Sequence, residues 1–529
     1  MCIRDRSAVR CSYLFLAGSR TRVSDRRTDD GGASRTELAS RSTFEEATMI
    51  AGYCWPQSVL PGEVVSLAVS AGDDFCNVEV VRIGSEELTV GSWAGVPVIE
   101  QPSPADAAHA GCNWMETLEI AVDGSWRSGF YLVRLTSRSG ETAEAFFVVR
   151  APEPGDKLLV LATSTWAAYN NWGGPSYYTG GSRSSLQRPL PKGFLEKPEP
   201  HRYRVARIEE LPDEERRAHF SEFSIWSCAA GFANWELLFV RWAESRGIEL
   251  DYATSLDLHH DAQLLDRYSL YLSVGHDEYW SAEMRDHLEH WIDQGGFAAF
   301  FSGNTAFWQV RFEEPDDTMV SFKQGFTDDP VMGTDDERLV TTMWSDPLTQ
   351  RPESLMTGVS FTRGGYAHCR NAPAGSGGYT VWQPDHWAFE EVQLHTGDVI
   401  GADPVVVGYE CDGCELALEH GVPVSATSPA TPSGFEVLGT APARLWETED
   451  LPPQLDDSYV GELNWVAERL GGGDTAENRA RFALGYAVMG SFQRNGGTVF
   501  TVGCTDWAYG LEDPAISQIT QNVMNRGLR

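Results

Sequence analysis

Between Tyr268 and Trp308 an apolar run, Leu270 to Val274, passes through Gly275 into the cluster His276-Asp277-Glu278-Tyr279-Trp280. An amphipathic stretch follows, and a second apolar run, Phe297 to Phe301, ends in Ser302-Gly303-Asn304. Met284, Leu288, Trp291 and Ile292 fall at i, i+4, i+7 and i+8, the spacing of one helical face. Ser281 suits an N-cap, Glu283 the first turn, and Gly295-Gly296 the end of that helix. The segment therefore reads as strand, helix, strand, with polar groups just beyond the carboxyl ends of both strands. That edge is where open α/β sheets bind ligands. Tyr279 and Trp280 read as packing residues of the turn.

The same alternation recurs from Lys157 onward. Leu158–Ala162, Ile248–Tyr252 and Thr498–Val502 read as further strands, with helices predicted over Asn234–Arg246 and Asp261–Leu265. Alternating β and α implies a mostly parallel sheet of flavodoxin-like type. Residues 49–151 differ: short alternating runs (Glu63–Ser70, Asn77–Ile83, Glu116–Val122, Phe130–Thr136, Ala143–Val149) lie between Gly, Asp and Ser turns. They predict an immunoglobulin-like β-sandwich. Ala151-Pro-Glu-Pro-Gly155 marks the boundary, so 152–529 is expected to form the α/β domain, with an irregular elaboration over about 340–450. Residues 1–48 are Arg-rich and aperiodic, with no convincing signal peptide. Their opening MCIRDR resembles sequencing-adapter read-through; Met49 is the expected start, and the leader is expected to be disordered.

A net charge of -35 over 529 residues argues against nucleic acid or an anionic membrane surface as partner. No apolar run approaches a membrane span. Ten cysteines without framework spacing fit reduced thiols in a cytoplasm.

Four segments are expected to meet at the carboxyl edge of the sheet: Thr163–Gly174 with the Tyr-rich Pro175–Gly180, then His276-Asp277-Glu278, Gly303-Asn304-Thr305 and Cys504-Thr505-Asp506. Carboxylate plus phenolates makes a hard, oxygen-rich donor set that suits Fe(III) better than zinc or copper. Phenols titrate near pH 10, so only a strongly charged cation holds them ionised at neutral pH. Such a cation polarises an amide carbonyl and acidifies water. A histidine two residues from the ligand carboxylate can move the proton, and Asn304 can orient the substrate or its oxyanion. The ordinary readings stand beside these: a solvated His-Asp-Glu turn, packing tyrosines, and a hairpin turn at Cys411-Asp-Gly-Cys414. Cys504 and Cys228 are alternative nucleophiles, though neither has an evident base in the sequence.

The motifs ATSTWAAYNNWGG, RPLPKGF, SVGHDEYWS, GNTAFWQVR and TDWAYGL, in this order, resemble the carboxyl-terminal part of the N,N-dimethylformamidase large (beta) subunit family over about residues 155–529. The resemblance implies a glutamine-amidotransferase-like α/β domain and a mononuclear iron held by two tyrosines and one glutamate. It also implies hydrolysis of N-substituted formamides to formate and amine, within an oligomer that includes a small partner subunit. On this sequence it places Glu278 as metal ligand, His276 as proton carrier, Asn304 as orienting amide and Tyr169 as one tyrosine ligand. Tyr203 is the first choice for the second tyrosine, ahead of Tyr178 and Tyr177. Lys323, one of four lysines, is a candidate site cation, with Glu410 and Glu415 behind it. The family's large subunit is longer and carries a further lectin-like sandwich, which leaves the substrate and the need for a small subunit open. Two other functions remain: an amidase with Cys504 as nucleophile, and a non-catalytic protein that binds carbohydrate or polymer.

Overall fold

A computed structural model describes residues 50–314, 318–452, 455–456 and 458–527. The expected disordered leader lies outside the described residues. Five parallel strands form one half of a nine-stranded sheet: β1 (Lys157–Leu161), β2 (Asp251–Thr254), β3 (Leu270–His276), β4 (Phe297–Gly303) and β5 (Gly497–Thr501), in the order β2-β1-β3-β4-β5. All seven residues of β3 and of β4 are buried, as befits strands covered on both faces. Beyond β5 the sheet turns antiparallel, through Gly485–Arg494, Glu436–Ala443, Tyr379–Val381 and Val399–Ile400. The change of direction begins at Asn495-Gly496, a two-residue turn with φ of 47° and 102°. Asn-Gly favours the positive-φ hairpin that reverses a strand at once. Part of the stretch expected as irregular thus extends the sheet.

The helix predicted after β3 spans Ala282–Asp293, with Ser281 Oγ accepting the Met284 N–H at 3.2 Å. Its predicted apolar face, Met284, Leu288, Trp291 and Ile292, is buried. Asn234–Arg246 is realised as Glu236–Ser245. The expected helix over Asp261–Leu265 is not formed; the helix lies earlier, at Ser255–His260. Thr254 and Asp257 make a reciprocal capping box there, which starts the helix directly from β2. Cys411 and Cys414 do not flank a hairpin turn either, because Glu410–Gly413 is a strand paired with Ser360–Tyr366.

The amino-terminal module has a three-stranded sheet (Ala51–Trp55, Val64–Ser70, Leu118–Ala121). Its five-stranded companion contains Ser58–Val59, Phe75–Ile83, Glu87–Pro97, Gly129–Ser137 and Thr142–Val149. In a strand, successive side chains point to opposite faces. Tyr131, Val133 and Phe147 join the module's own core, while Phe130, Leu132 and Phe146 join the core of the α/β part. Phe130 stacks on Phe232 with ring centroids 3.8 Å apart. The five-stranded sheet is therefore apolar in both phases, and its outer face lies against the α/β part of the chain.

One ion pair is set into this contact. Arg82 reaches Glu244 through Nη2 at 2.6 Å and Nη1 at 3.2 Å, and also donates to the Ser128 carbonyl. Both side chains are largely buried, and removing one partner of such a pair strands the other charge. Arg82→Ala is expected to destabilise the chain by about 3–5 kcal/mol, read as a lower urea midpoint in equilibrium unfolding. A midpoint equal to that of the parent would show that the pair does not hold the two parts together.

Candidate metal centre

The turn after β3 is built so that alternate residues face opposite ways. Gly275 has φ of 80°, and a Cβ there would lie 2.5 Å from Cβ of Trp235, so a larger residue is excluded twice over. Asp277 turns to the far side, where its carboxylate accepts from Ser273 Oγ at 2.7 Å and Trp280 Nε1 at 2.9 Å. That carboxylate is structural, and burial pushes its pKa up to about 6. His276 and Glu278 face the other way, into a fully enclosed cluster.

Three oxygens there form a triangle. Tyr169 Oη is 2.8 Å from Tyr178 Oη and 3.1 Å from Glu278 Oε2, and Tyr178 Oη is 3.0 Å from that same Oε2. Tyr279 donates its hydroxyl to Tyr178 at 2.9 Å. His276 Nε2 lies 3.2 Å from Glu278 Oε2 and 2.6 Å from Glu410 Oε2. Its Nδ1 is 2.8 Å from the Ala229 carbonyl, which as an acceptor keeps the proton on Nδ1. Asn304, held at φ of 50° after β4, donates Nδ2 to Glu410 Oε2 at 3.0 Å. Gly303 before it has no room for a side chain: a Cβ would lie 2.4 Å from Thr505 N and 2.5 Å from the Glu410 carbonyl.

Lys323 enters from a separate loop. Its ammonium is buried, has no hydrogen-bond partner among the described residues, and sits 3.3 Å from the centroid of the Tyr178 ring. Trp308, Tyr459 and Tyr279 rings surround it at 5.1, 4.9 and 5.9 Å. Burial brings the Lys323 pKa down to about 7, against the pull of Glu278, Glu462 and Glu410. Burial and the Glu278 charge hold the Tyr169 and Tyr178 phenols well above their ordinary value. Burial also opposes ionisation of Glu278, yet His276, Lys323 and the Tyr178 hydroxyl bring it below the usual carboxylate value. His276 resists the lowering effect of burial because Glu410 and Glu278 hold it well above the usual imidazole value.

Of the residues expected in the site, Tyr169, His276, Glu278, Asn304 and Lys323 converge here. Tyr203 does not, and this corrects the expectation. Its ring stacks on His219 at 4.4 Å, its hydroxyl donates to Glu215 at 3.1 Å, and its carbonyl is taken by Lys197. Tyr178 occupies the place foreseen for it. Tyr177 next to it points away, donating to the Met319 carbonyl at 2.6 Å. Glu410 belongs to the cluster, whereas Glu415, exposed just past the end of the Glu410 strand, pairs with Arg363. The fourth expected segment contributes no ligand: Asp506 accepts from Trp235 Nε1 at 2.8 Å and faces Arg204 at 3.4 Å. Cys504 is fully buried against Cys411, Sγ to Sγ 3.6 Å, and a second thiol is no general base. Sequence reasoning read Tyr279 as packing and passed over Tyr366, Tyr409, Tyr459 and Glu462. Buried polar residues inside otherwise apolar runs, such as Tyr409-Glu410 after Val405-Val406-Val407, are the signal that could have found some of them.

The donor set suits a hard cation. Oxygens 2.8–3.1 Å apart make one face of a coordination polyhedron with metal–oxygen bonds of about 2 Å. His276, Glu278 and Glu410 also bring ligand atoms within 4.8 Å of one another and could hold a metal ion.

The model of the family described as N,N-dimethylformamidase beta subunit-like, C-terminal, matches residues 77–522, so the match begins inside the amino-terminal β module. The N,N-dimethylformamidase beta subunit of Alcaligenes sp is 23% identical over 468 residues, covering 79% of this chain and 55% of that protein. The beta subunit of the same name from Paracoccus aminophilus is 23% identical over 469 residues, with the same coverage. The chain thus spans about half the length of the curated relatives it matches. With most of its length matched by one family model, the chain belongs to the N,N-dimethylformamidase beta subunit-like, C-terminal family.

Proposed function

We propose that this chain is an amidohydrolase that cleaves the C–N bond of small N-substituted amides of the formamide type. The reading includes a single iron(III) held by Tyr169, Tyr178 and Glu278. The observation that carries it is the triangle of two phenol oxygens and one carboxylate oxygen, closed off from solvent, with His276 Nε2 3.2 Å from the carboxylate. One carboxylate and two phenols make an all-oxygen ligand set, which favours a hard trivalent ion over zinc or copper. The names of the two relatives support the substrate class, and their designation as beta subunits supports a partner subunit. Five parallel strands with the cluster at their carboxyl ends support a flavodoxin-like, glutamine-amidotransferase-like domain behind an immunoglobulin-like sandwich. The eight described cysteines, all free, support a reducing cytoplasm.

When bound, the cation supplies Lewis acidity toward a carbonyl oxygen and toward water. The protein supplies the proton path. With Nδ1–H committed to Ala229, His276 exchanges protons at Nε2; Glu410 and Glu278 favour the imidazolium, so the step starts from the minority neutral ring, whose Nε2 lone pair takes a proton from the attacking water. Glu410 at 2.6 Å stabilises the imidazolium that results. As the carbonyl carbon gains the water oxygen and the C–N bond breaks, Nε2 returns the proton to the departing nitrogen. Lys323 Nζ and the Asn304 amide stand beside the cluster as donors for oxygen that becomes anionic. Cys504, paired with Cys411, has no step in this scheme.

Purified chain is expected to contain about one iron per protein and to show a tyrosinate-to-iron band in the visible, the signature of the donor set argued above. Tyr178→Phe should shift or abolish the band while Tyr203→Phe keeps it. Iron-free, colourless protein would overturn the reading. His276→Gln is expected to keep the metal and lower kcat by about 10²–10⁴-fold. Loss of iron in that variant would instead make His276 a ligand.

A further inference from the structure

A second unsatisfied group lies beside the proposed centre. Glu462 opens the helix Glu462–Gly471 and is buried at 4% exposure. Its Oε1 accepts the Tyr366 hydroxyl at 3.1 Å and faces the Tyr459 hydroxyl at 3.5 Å. Its Oε2 is enclosed and has no hydrogen-bond partner among the described residues. A carboxylate at the first turn of a helix is favoured by the dipole. That accounts for a charge at this position, but leaves the second oxygen bare. A buried polar atom without a partner costs about 1–3 kcal/mol, and more when charged.

Tyr459 joins this group to the rest of the site. Its hydroxyl is at Glu462, its ring lies 4.9 Å from Lys323 Nζ, and its centroid is 6.2 Å from that of Tyr178. Tyr366 does the same from the other side, with its ring 6.0 Å from Tyr409, which in turn lies 6.0 Å from His276. Tyr459 is only partly buried, next to the exposed Ser458 and Val460. Two groups without hydrogen-bond partners among the described residues, Lys323 Nζ and Glu462 Oε2, thus flank one partly buried phenol; burial brings the lysine pKa down to about 7 and pushes that of the glutamate up to about 7. The first calls for an acceptor and the second for a donor. An amide that keeps a hydrogen on nitrogen offers both, a carbonyl oxygen and an N–H.

Resting on the amidohydrolase reading, we infer that the amide accepted here carries an N–H, and that Glu462 Oε2 receives it. Tyr366, as donor to Oε1, keeps Glu462 an acceptor, and the aromatic rings of Tyr366 and Tyr459 face the nitrogen substituent. A fully N-alkylated amide leaves Oε2 bare and is discriminated against, because a site built to hydrogen-bond penalises the analogue that lacks the group.

The test compares N-methylformamide with N,N-dimethylformamide on the full chain, carrying its metal and any partner it purifies with. The parent is expected to favour N-methylformamide in kcat/KM by about tenfold or more, the equivalent of one stranded buried acceptor. Glu462→Leu should bring the ratio close to that of the amides' own reactivity. Glu462→Gln, whose single oxygen keeps the Tyr366 hydrogen bond and puts an NH2 donor where Oε2 stood, should likewise lose the preference and serves if the leucine variant does not fold. A parent that prefers the dimethyl amide, or a ratio untouched by either substitution, overturns the inference and leaves the hydrolase reading intact. Failure to hydrolyse either amide, with iron present, overturns the hydrolase reading itself.

Discussion

His276 stands between two carboxylates with almost no solvent on any of the three, and the site's other parts are arranged around that fact. A buried carboxylate is costly unless a positive charge or several donors offset it. Glu410 at 2.6 Å and Glu278 at 3.2 Å share one imidazole, and the Ala229 carbonyl fixes which ring nitrogen meets them. Glu278 is further held by two phenol hydroxyls and Glu410 by the Asn304 amide. The β3 end contributes His276 and Glu278, the β4 end Asn304 and a separate strand Glu410, so the cluster exists only while these three remain in register.

That register is guarded by backbone contacts too close for side chains. Gly275 lies against Trp235, and Gly303 lies between Thr505 and the Glu410 carbonyl. Thr305 N–H reaches the Asp412 carboxylate at 3.0 Å, tying the loop after β4 to the strand that carries Glu410. Asp506, expected near the chemistry, serves the frame instead, holding Trp235 and Arg204. The amino-terminal module acts at longer range. Its five-stranded sheet buries Phe130 and Phe146 against Phe232 and Trp166, just behind the helix that ends in Tyr169.

Much of this was legible in local pattern. Period-2 runs and the 3.6-residue face of Met284, Leu288, Trp291 and Ile292 located strands and helix, because burial of one face leaves its spacing in the chain. The end of the apolar run at Gly275 was also visible, and with it the placement of His276 and Glu278 beyond a strand. The family resemblance named Tyr169, His276, Glu278 and Asn304 together, and the structure brings them into one cluster. Two readings failed for identifiable reasons. Asp261–Leu265 looked helical, but the capping box at Thr254 and Asp257 starts the helix six residues earlier. Tyr203 looked equivalent to Tyr178, since nothing in a tyrosine's neighbours reveals that Lys197 and Glu215 will hold it elsewhere.

Local sequence by itself determined the strand–helix–strand frame, the acidic and lysine-poor character of the chain, and the presence of an imidazole and a carboxylate two residues apart at a strand end. Only the tertiary structure decided which tyrosines face Glu278 and that Glu410, 132 positions from it along the chain, completes the cluster around His276. It also decided that, among the described residues, Lys323 Nζ and Glu462 Oε2 are left without hydrogen-bond partners beside that cluster. The physical reason is that burial patterns repeat along the chain, whereas the pairing of buried charges depends on which loops the sheet brings together.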